Sequence, residues 1–289
     1  MPTKSIIELV TLAALWGASF LFMRIGSPEF GAILFMALRT LIASLFLTPM
    51  MIMKKQHGQL SGRWLKIFIM GSLNTAIPFV LFGYAVLYLS AGVTSVLNGT
   101  TPIFGAIVAF FWLKDRISLP AMIGLMLGFA GVYILMSGKI SSGSENVLLP
   151  TLAVLGATFC YAIAANFTKL YLNDLKPLVL AAGSQISATI LLLPIGLYYL
   201  PETLPSTDAI LSVIALGIFC TGIAYILFFR LITDVGPTKA ISVTYLIPMF
   251  GLLWGYLFLN EEINTSIIAG SCCILIGVGL TTGLFTRGR

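Results

Sequence analysis

Charged residues are scarce in this sequence: they make up 9% of its 289 residues, whereas hydrophobic residues make up 58%. A soluble domain carries roughly 25% charged residues, so a chain this poor in charge could not cover a water-facing surface. The composition therefore excludes an ordinary soluble domain and predicts that the lipid bilayer is the solvent. Helices satisfy the backbone there. A closed β-barrel is excluded because the apolar runs are continuous rather than alternating.

Residues for catalysis and metal binding are also scarce. Histidine occurs once, as His57 in a basic loop, and the four cysteines all lie within apolar runs. A catalytic site needs a nucleophile with a base, or a set of metal ligands, and no cysteine–histidine spacing typical of zinc is present. The sequence thus predicts neither an enzyme nor a bound cofactor or metal. An intramembrane enzyme and a channel are the weaker alternatives.

Long apolar runs occupy most of the chain, and a membrane-spanning helix needs roughly 20 such residues. The linkers between the runs are short and leave no room for a soluble domain. We therefore expect an all-α integral membrane protein with ten spans. The predicted spans 1 to 10 cover about 5–26, 30–53, 64–88, 92–113, 118–137, 147–170, 177–199, 208–231, 237–259 and 264–285.

The sequence repeats itself. The block Pro102–Ile117 matches Pro248–Ile263 in proline, phenylalanine, glycine, leucine and isoleucine, with an acid at the same place in both. Further matches at nearly the same offset extend over most of the chain. The doubling predicts two five-helix repeats, residues 1–140 and 141–289. Because five is odd, the repeats must be inverted relative to each other, as in transporters that bind substrate at the midplane between them.

Positive charge is distributed unequally between the two sides of the predicted bundle. Thirteen basic residues fall on the side of both termini, and only Arg24 and Lys139 fall on the other. The positive-inside rule places both termini in the cytoplasm. The net charge of +6 therefore reflects membrane topology and not nucleic-acid binding. Asp115 is then predicted inside and its equivalent, Glu261, outside.

Three prolines lie near the centres of spans 3, 4 and 9. A proline within a helix frees the carbonyl four residues earlier, and such breaks are tolerated in a bilayer near cavities. In each case the residue four positions earlier is polar. We therefore expect three broken helices that face one central cavity. The pairs are Asn74 with Pro78, Asn98 with Pro102, and Thr244 with Pro248.

Aromatic, amide and hydroxyl side chains lie at similar depths in six spans. This nearly uncharged set suits a small zwitterionic or neutral solute, and interhelical hydrogen bonding is the alternative role for each member. The predicted substrate-binding residues are Trp16, Ser19, Asn74, Tyr84, Asn98, Thr101, Tyr161, Thr221, Tyr225, Thr244 and Tyr245.

A second set of residues is predicted to break helices or to gate the cavity. Arg39 lies within span 2, where a buried base is costly. It is predicted either to bind a substrate carboxylate or to hold the helices of the bundle together. Arg230, which is equivalent to Tyr84, is a gate candidate, and the equivalent acids Asp115 and Glu261 have paired structural or gating roles. With Pro78, Pro102 and Pro248, these residues complete the set.

The chain resembles the EamA-type members of the drug/metabolite transporter superfamily. The resemblance is carried by Trp16-Gly17, Arg39–Ala43, Tyr88–Gly92, both proline-phenylalanine-glycine blocks and the glycines of spans 5 and 10. It implies an inner-membrane carrier that moves amino acids or other small metabolites, usually outward, through a cavity lined by spans 1, 3, 4, 6, 8 and 9. The chain departs from this pattern in one respect: the residue equivalent to Arg39 in the second repeat is Ser184.

Alternating access of a midplane site is the expected mechanism. No acid lies near a span centre, so facilitated diffusion or exchange is favoured over proton coupling. A sugar-phosphate or nucleotide-sugar antiporter is the alternative within the superfamily, but such cargo calls for several central cations and only Arg39 qualifies. The expected partners are a small metabolite and the bilayer, with no nucleic acid. A monomer and a homodimer both stay open.

Overall fold

The computed structural model describes residues 2–141 and 147–283, and every regular element in this part of the chain is helical. Within residues 2–141 and 147–283, nine helices are long and apolar enough to cross a membrane, and Thr265–Thr281 is a shorter apolar helix. The predicted all-α membrane fold is confirmed. Spans 1 to 10 are Thr3–Phe30, Ala32–Met53, Trp64–Ala85, Ala91–Leu113, Leu119–Ser137 (its helix continues to Ser141), Leu148–Tyr171, Pro177–Tyr198, Thr207–Val235, Lys239–Leu259 and Thr265–Thr281; a 3₁₀ turn, His57–Leu60, precedes span 3.

Spans 3 and 8 each contain a π-helical turn at equivalent positions of the two halves. In span 3 the turn Ser72–Ala76 separates helices Trp64–Gly71 and Ile77–Ala85. In span 8 the turn Ile218–Ile223 separates Thr207–Gly217 and Ala224–Val235. A π turn inserts an extra residue and often marks a functional site. Span 8 reaches this geometry without the proline that span 3 carries.

Span 4 bends beside Pro102. Its first helix, Ala91–Asn98, ends before Gly99, and the next helix, Thr101–Val108, leads into a π turn at Ala109–Leu113. The carbonyl of Asn98, which the proline frees, accepts a hydrogen bond from the Thr101 hydroxyl at 2.8 Å. The break is therefore satisfied locally, and the Asn98 amide group is left for other contacts.

In span 9 the structure differs from the third predicted helix break. Helix Val243–Leu259 runs through Pro248 without interruption, and the break lies at Ser242, after the short helix Pro237–Ile241. A proline removes one hydrogen bond, and a helix can absorb the loss as a kink. The expectation that Pro248 interrupts its helix is wrong.

The helices of each half pack mainly against helices of the other half. Spans 2 and 7 contact each other, and so do spans 5 and 10. Span 1 packs against spans 8 and 9, as span 6 packs against spans 3 and 4. Ser44 and Thr189, equivalent residues of spans 2 and 7, meet with their hydroxyl oxygens 3.2 Å apart. Exchanging the halves thus leaves these helix pairs unchanged, although the boundary between residues 140 and 141 stays a prediction.

Candidate functional site

A cavity of about 380 Å³ lies at the centre of the bundle. Seven spans contribute to it: the six implied by the resemblance and also span 2, through Arg39. The lining residues are Trp16, Ser19, Phe20, Met23, Arg39, Asn74, Phe79, Phe82, Asn98, Gly99, Thr101, Pro102, Tyr161, Ala165, Cys220, Tyr225, Phe228, Thr244 and Ile247.

Aromatic rings from four spans form most of the apolar wall. Trp16 contacts Phe228 with ring centroids 5.2 Å apart, and Phe82 contacts Tyr161 at 5.9 Å. Phe82 also meets Phe20 edge to face at 5.8 Å. Rings held in such pairs are fixed in orientation. They offer a preformed apolar surface to the flat or bulky part of a solute.

Two amides enter the cavity where the helices are irregular. Asn74 lies within the π turn of span 3, and Asn98 is the last residue of its helix. Both line the cavity. An interrupted helix leaves backbone groups unpaired. These positions therefore concentrate hydrogen-bonding capacity at the centre of an otherwise apolar bundle.

Arg39 is buried, with 6% of its surface exposed. Its Nε donates to the Thr221 hydroxyl at 3.0 Å, and its guanidinium carbon lies 3.6 Å from the centre of the Phe79 ring. Thr221 belongs to the π turn of span 8 and donates its own hydroxyl proton to the Leu216 carbonyl at 2.9 Å. Spans 8 and 3 therefore hold the guanidinium at the cavity wall.

Most of the predicted substrate-binding residues line the cavity, but Tyr84, Thr221 and Tyr245 do not. The Tyr84 ring packs against the Tyr88 ring at the far end of span 3. Thr221 is hydrogen-bonded to Arg39, which separates it from the cavity. The Tyr245 hydroxyl bonds to Thr282 instead. The sequence indicates the depth of these residues but not the side of the helix that faces the cavity. In span 3 the extra residue of the π turn also shifts the helical phase of all that follows.

The cavity-lining residues that the sequence pattern does not reveal are mostly aromatic or small. Phe20 and Met23 lie four and seven residues after Trp16, which is the spacing of one helix face, and this signal could have found them. Phe79 follows the predicted break at Pro78. The others are Phe82, Gly99, Ala165, Cys220, Phe228 and Ile247.

Glu261 joins the loop after span 9 to the start of span 4. Its two carboxylate oxygens accept hydrogen bonds from the backbone N–H groups of Ala91 at 2.6 Å and Gly92 at 2.9 Å. These N–H groups belong to the first turn of a helix, where donors lack intrahelical partners. Asp115, the equivalent acid, makes only a 3.8 Å contact with Lys169 between largely exposed side chains.

The loops that carry the two acids have the same backbone geometry. The residues before them, Lys114 and Asn260, are both left-handed, with φ values of 59° and 52°. The N–H groups of Asp115 and Glu261 then donate to carbonyls six residues earlier, at 3.3 and 3.1 Å. Equivalent loops therefore present equivalent acids, but only one acid is bound to a helix start.

The bundle is closed on the face that carries Glu261, which we call the Glu261 face. Besides the Glu261 contacts, the Glu29 carboxylate accepts from the Ser206 N–H and hydroxyl at 2.5 and 2.7 Å, and Arg24 donates to the Val86 carbonyl. One core cluster includes buried residues from every span toward this face. Solutes in the cavity are therefore separated from the Glu261 face.

On the opposite face, which carries the N-terminus, two groups of helices are centred on separate core clusters. Spans 2, 3 and 7 and the end of span 6 share one cluster, and spans 1, 8 and 9 share the other, although Tyr225 and Phe229 of span 8 also pack against the first. The second helix of span 4 packs against span 6, whereas its first helix packs against span 9. Among the described residues no ion pair joins the groups; the pairs are Arg63–Asp174, Lys169–Asp115 and Arg230–Glu8.

The Arg63–Asp174 pair illustrates how each group is held together at this face. Arg63 lies before span 3 and Asp174 lies between spans 6 and 7, and their side chains approach to 2.6 Å. The hydrogen bond from the Arg63 guanidinium holds the pKa of the Asp174 carboxyl below its ordinary value. The pair is therefore ionised at neutral pH and fastens the loops within one group only.

Comparison with known proteins gives matches over the whole chain. The model described as "EamA-like transporter family" matches residues 3–137 and again residues 148–283. The uncharacterized transporter YoaV of Bacillus subtilis is 25% identical over 99% of both chains. An uncharacterized transporter of Archaeoglobus fulgidus is 26% identical over 95% of this chain and 97% of its own. A solved crystal structure with 17% identity superposes with a TM-score of 0.69 over 99% of both chains, which shows the shared fold.

Proposed function

Because the chain belongs to the EamA-like transporter family, we propose that it carries small metabolites with an apolar body and a polar end, such as amino acids and related solutes. The observation that supports this most is the central cavity, where aromatic rings surround two amides and one arginine. Such a lining suits small organic solutes. The single cation does not favour sugar phosphates or nucleotide sugars, which would need several.

Alternating access is the mechanism that we propose for this cavity. Its closure on the Glu261 face and the divided opposite face describe one end state. Exchanging the conformations of the two inverted halves would generate the other. In that second state Asp115 would approach the start of span 9, as Glu261 now binds the start of span 4. The equal backbone geometry of the two loops supports this exchange.

Export is the direction that we propose, across the inner membrane. The positive-inside rule assigns the N-terminal face to the cytoplasm, so the present state would load its substrate from the cytoplasm. No acid in the described part of the chain lines the cavity, which favours facilitated diffusion or exchange over proton coupling. Uphill uptake into reconstituted liposomes, driven by a pH gradient alone, would contradict uncoupled transport.

Alanine substitutions at the cavity should impair transport. Trp16→Ala removes a ring from the wall, and Asn98→Ala removes an amide at the bend of span 4. We expect each to lower transport by about tenfold, which corresponds to the loss of about 1.4 kcal/mol of binding. The measurement is uptake by liposomes that contain equal amounts of folded protein.

Tyr245→Ala is the matched control for these variants. Tyr245 also lies in a span near the predicted site, but its hydroxyl contacts Thr282 and it does not line the cavity. Transport by this variant should stay close to that of the wild type. Equal impairment in all three variants would show that the cavity residues have no special role.

A further inference from the structure

We propose that the cavity selects solutes with one net negative charge, a carboxylate attached to an aromatic or bulky apolar body, and that Arg39 binds the carboxylate. The proposal rests on the proposed transport function and, among small metabolites with an apolar body and a polar end, prefers organic acids to amino acids. It replaces the expectation of a zwitterionic or neutral solute by an organic monoanion without an ammonium group.

The hydrogen bonds of Arg39 leave its terminal nitrogens available. A guanidinium carries five N–H donors in one planar fork. The Nε–H is used on Thr221, and Phe79 covers one face of the plane. Among the described residues none accepts a hydrogen bond from the two terminal nitrogens, and Arg39 lines the cavity. The edge between those nitrogens matches the two oxygens of a carboxylate.

A purely structural arginine would have a different environment. An arginine that only holds helices together is expected to direct its donors at carbonyls or at a carboxylate, because unpaired buried donors are costly. Arg39 has one hydrogen bond, from Nε to the Thr221 hydroxyl, and no described carbonyl or carboxylate accepts from it. Thr221 and Phe79 orient the group without neutralising it. This arrangement is typical of a preorganised anion site.

The charge balance of the cavity favours a monoanion. The ionisable groups that interact with the Arg39 charge are Tyr161, Cys220 and Tyr225, which are neutral side chains at neutral pH. Among the described residues no Asp or Glu lines the cavity, so Arg39 gives the site one positive charge. A zwitterion would leave that charge uncompensated, and a dianion would leave a negative one. Only a monoanion makes the occupied site neutral, and a buried net charge is unfavourable.

The apolar part of the solute is defined by the wall around Arg39. Phe79 lies on the guanidinium itself, and the paired rings of Trp16, Phe228, Phe82 and Tyr161 surround the remaining space. Short, highly hydrated acids would leave this surface without a partner. A ring or a branched alkyl body next to the carboxylate fills it.

A ligand series with one common body tests the charge preference in the wild-type protein. 3-Phenylpropionate is an anion, 3-phenylpropanamide is neutral, phenylalanine is a zwitterion and 2-phenylethylamine is a cation. Titration calorimetry of the full chain in lipid nanodiscs gives the affinities. We expect the acid to bind about tenfold or more tightly than the amide, because a charge-assisted hydrogen bond is stronger than a neutral one. The acid should exceed phenylalanine by a similar factor, because the ammonium group leaves the Arg39 charge uncompensated, and the amine should not bind.

Substitution of Arg39 assigns the preference to this residue. In Arg39→Gln the acid should bind no more tightly than the amide, so that the ratio of the two affinities falls to about one. Arg39→Lys keeps the charge but not the fork and should retain part of the preference. The wild-type series decides the question even if Arg39→Gln does not fold.

Three outcomes would overturn the proposal in different ways. Tightest binding of phenylalanine or of the amide would overturn the monoanion assignment and leave the transport function standing. Failure of all four compounds to bind would overturn the proposed substrate class and leave the transport function standing. An unchanged preference for the acid in Arg39→Gln would overturn the role of Arg39.

Discussion

Replacing Glu261 with alanine is expected to open the cavity toward the Glu261 face and to reduce transport strongly. The substitution removes both hydrogen bonds to the Ala91 and Gly92 N–H groups. A carboxylate at a helix start is also favoured by the helix dipole. Charge-assisted hydrogen bonds contribute about 1.5–3 kcal/mol each. Because Glu261 is partly exposed, we expect about 2 kcal/mol for the pair, or roughly a 30-fold shift away from the closed state.

Cys220 provides a native reporter of this opening. It lines the cavity, and 1% of its surface is exposed. With the other three cysteines replaced by serine, a small membrane-impermeant methanethiosulfonate added from the Glu261 face should modify Cys220 slowly in the parent protein. It should modify Cys220 many times faster in Glu261→Ala. Glu261→Gln, which keeps one acceptor oxygen, should fall between the two.

Glu262→Ala is the control for the loss of charge in this loop. Glu262 adjoins Glu261, is exposed and belongs to none of the described ion pairs. Its substitution should leave both the labelling rate and transport unchanged. If Glu261→Ala behaves like Glu262→Ala, the Glu261 contacts do not close the cavity and their role is structural.

Composition and spacing predict the fold well because the bilayer imposes simple constraints. Each span must be long and apolar, so the runs in the sequence give the helices to within a few residues. The offset of 146 residues between Asp115 and Glu261 is enough to identify them as equivalent positions of the repeat. The same offset does not predict the difference between them, since the helix start that Glu261 binds lies about 170 residues away in the chain.

The candidate site can be predicted only where a residue type carries its own signal. Asn74 and Asn98 are recognisable because each precedes a proline by four residues. The π turn of span 8 carries no such signal, since Ala224 stands where span 3 has Pro78. The partner of Arg39 escapes prediction for that reason: Thr221 lies in this turn and comes from a span distant in sequence.

Arg39 also shows how a symmetric scaffold holds an asymmetric site. The two π turns are equivalent, and a residue at each of them holds the Arg39 guanidinium. Thr221 lies within the turn of span 8, and Phe79 follows the turn of span 3. The arginine itself has no counterpart, because Ser184 occupies its position in the second half. The proposed exchange of halves would therefore open one asymmetric site, the proposed anion site at Arg39, to each face in turn.

Replacing Gly124 with alanine is expected to destabilise the protein by about 2–3 kcal/mol, the upper range for overpacking. A Cβ atom at Gly124 would lie 2.4 Å from the Gly277 carbonyl oxygen and 2.9 Å from the Thr281 nitrogen. Both are backbone atoms, so spans 5 and 10 would have to separate. A Cβ at Gly277 would in turn lie 2.6 Å from the Gly124 carbonyl oxygen. The measurement is the midpoint of thermal unfolding in a fixed detergent.

Two other glycines are matched controls for this substitution. Gly105 has no atom within 4 Å of the position of an added Cβ, and Gly128 meets first the Cδ1 atom at the end of the Ile103 side chain, which can rotate away. Since alanine favours a helix over glycine by about 1 kcal/mol, Gly105→Ala should be neutral or stabilising, and Gly128→Ala should cost less than Gly124→Ala. Equal thermal unfolding midpoints for Gly124→Ala and Gly105→Ala would contradict the close packing of spans 5 and 10 at Gly124. If Gly124→Ala instead lowers transport per folded molecule at unchanged stability, spans 5 and 10 move against each other during the cycle and are not a static scaffold.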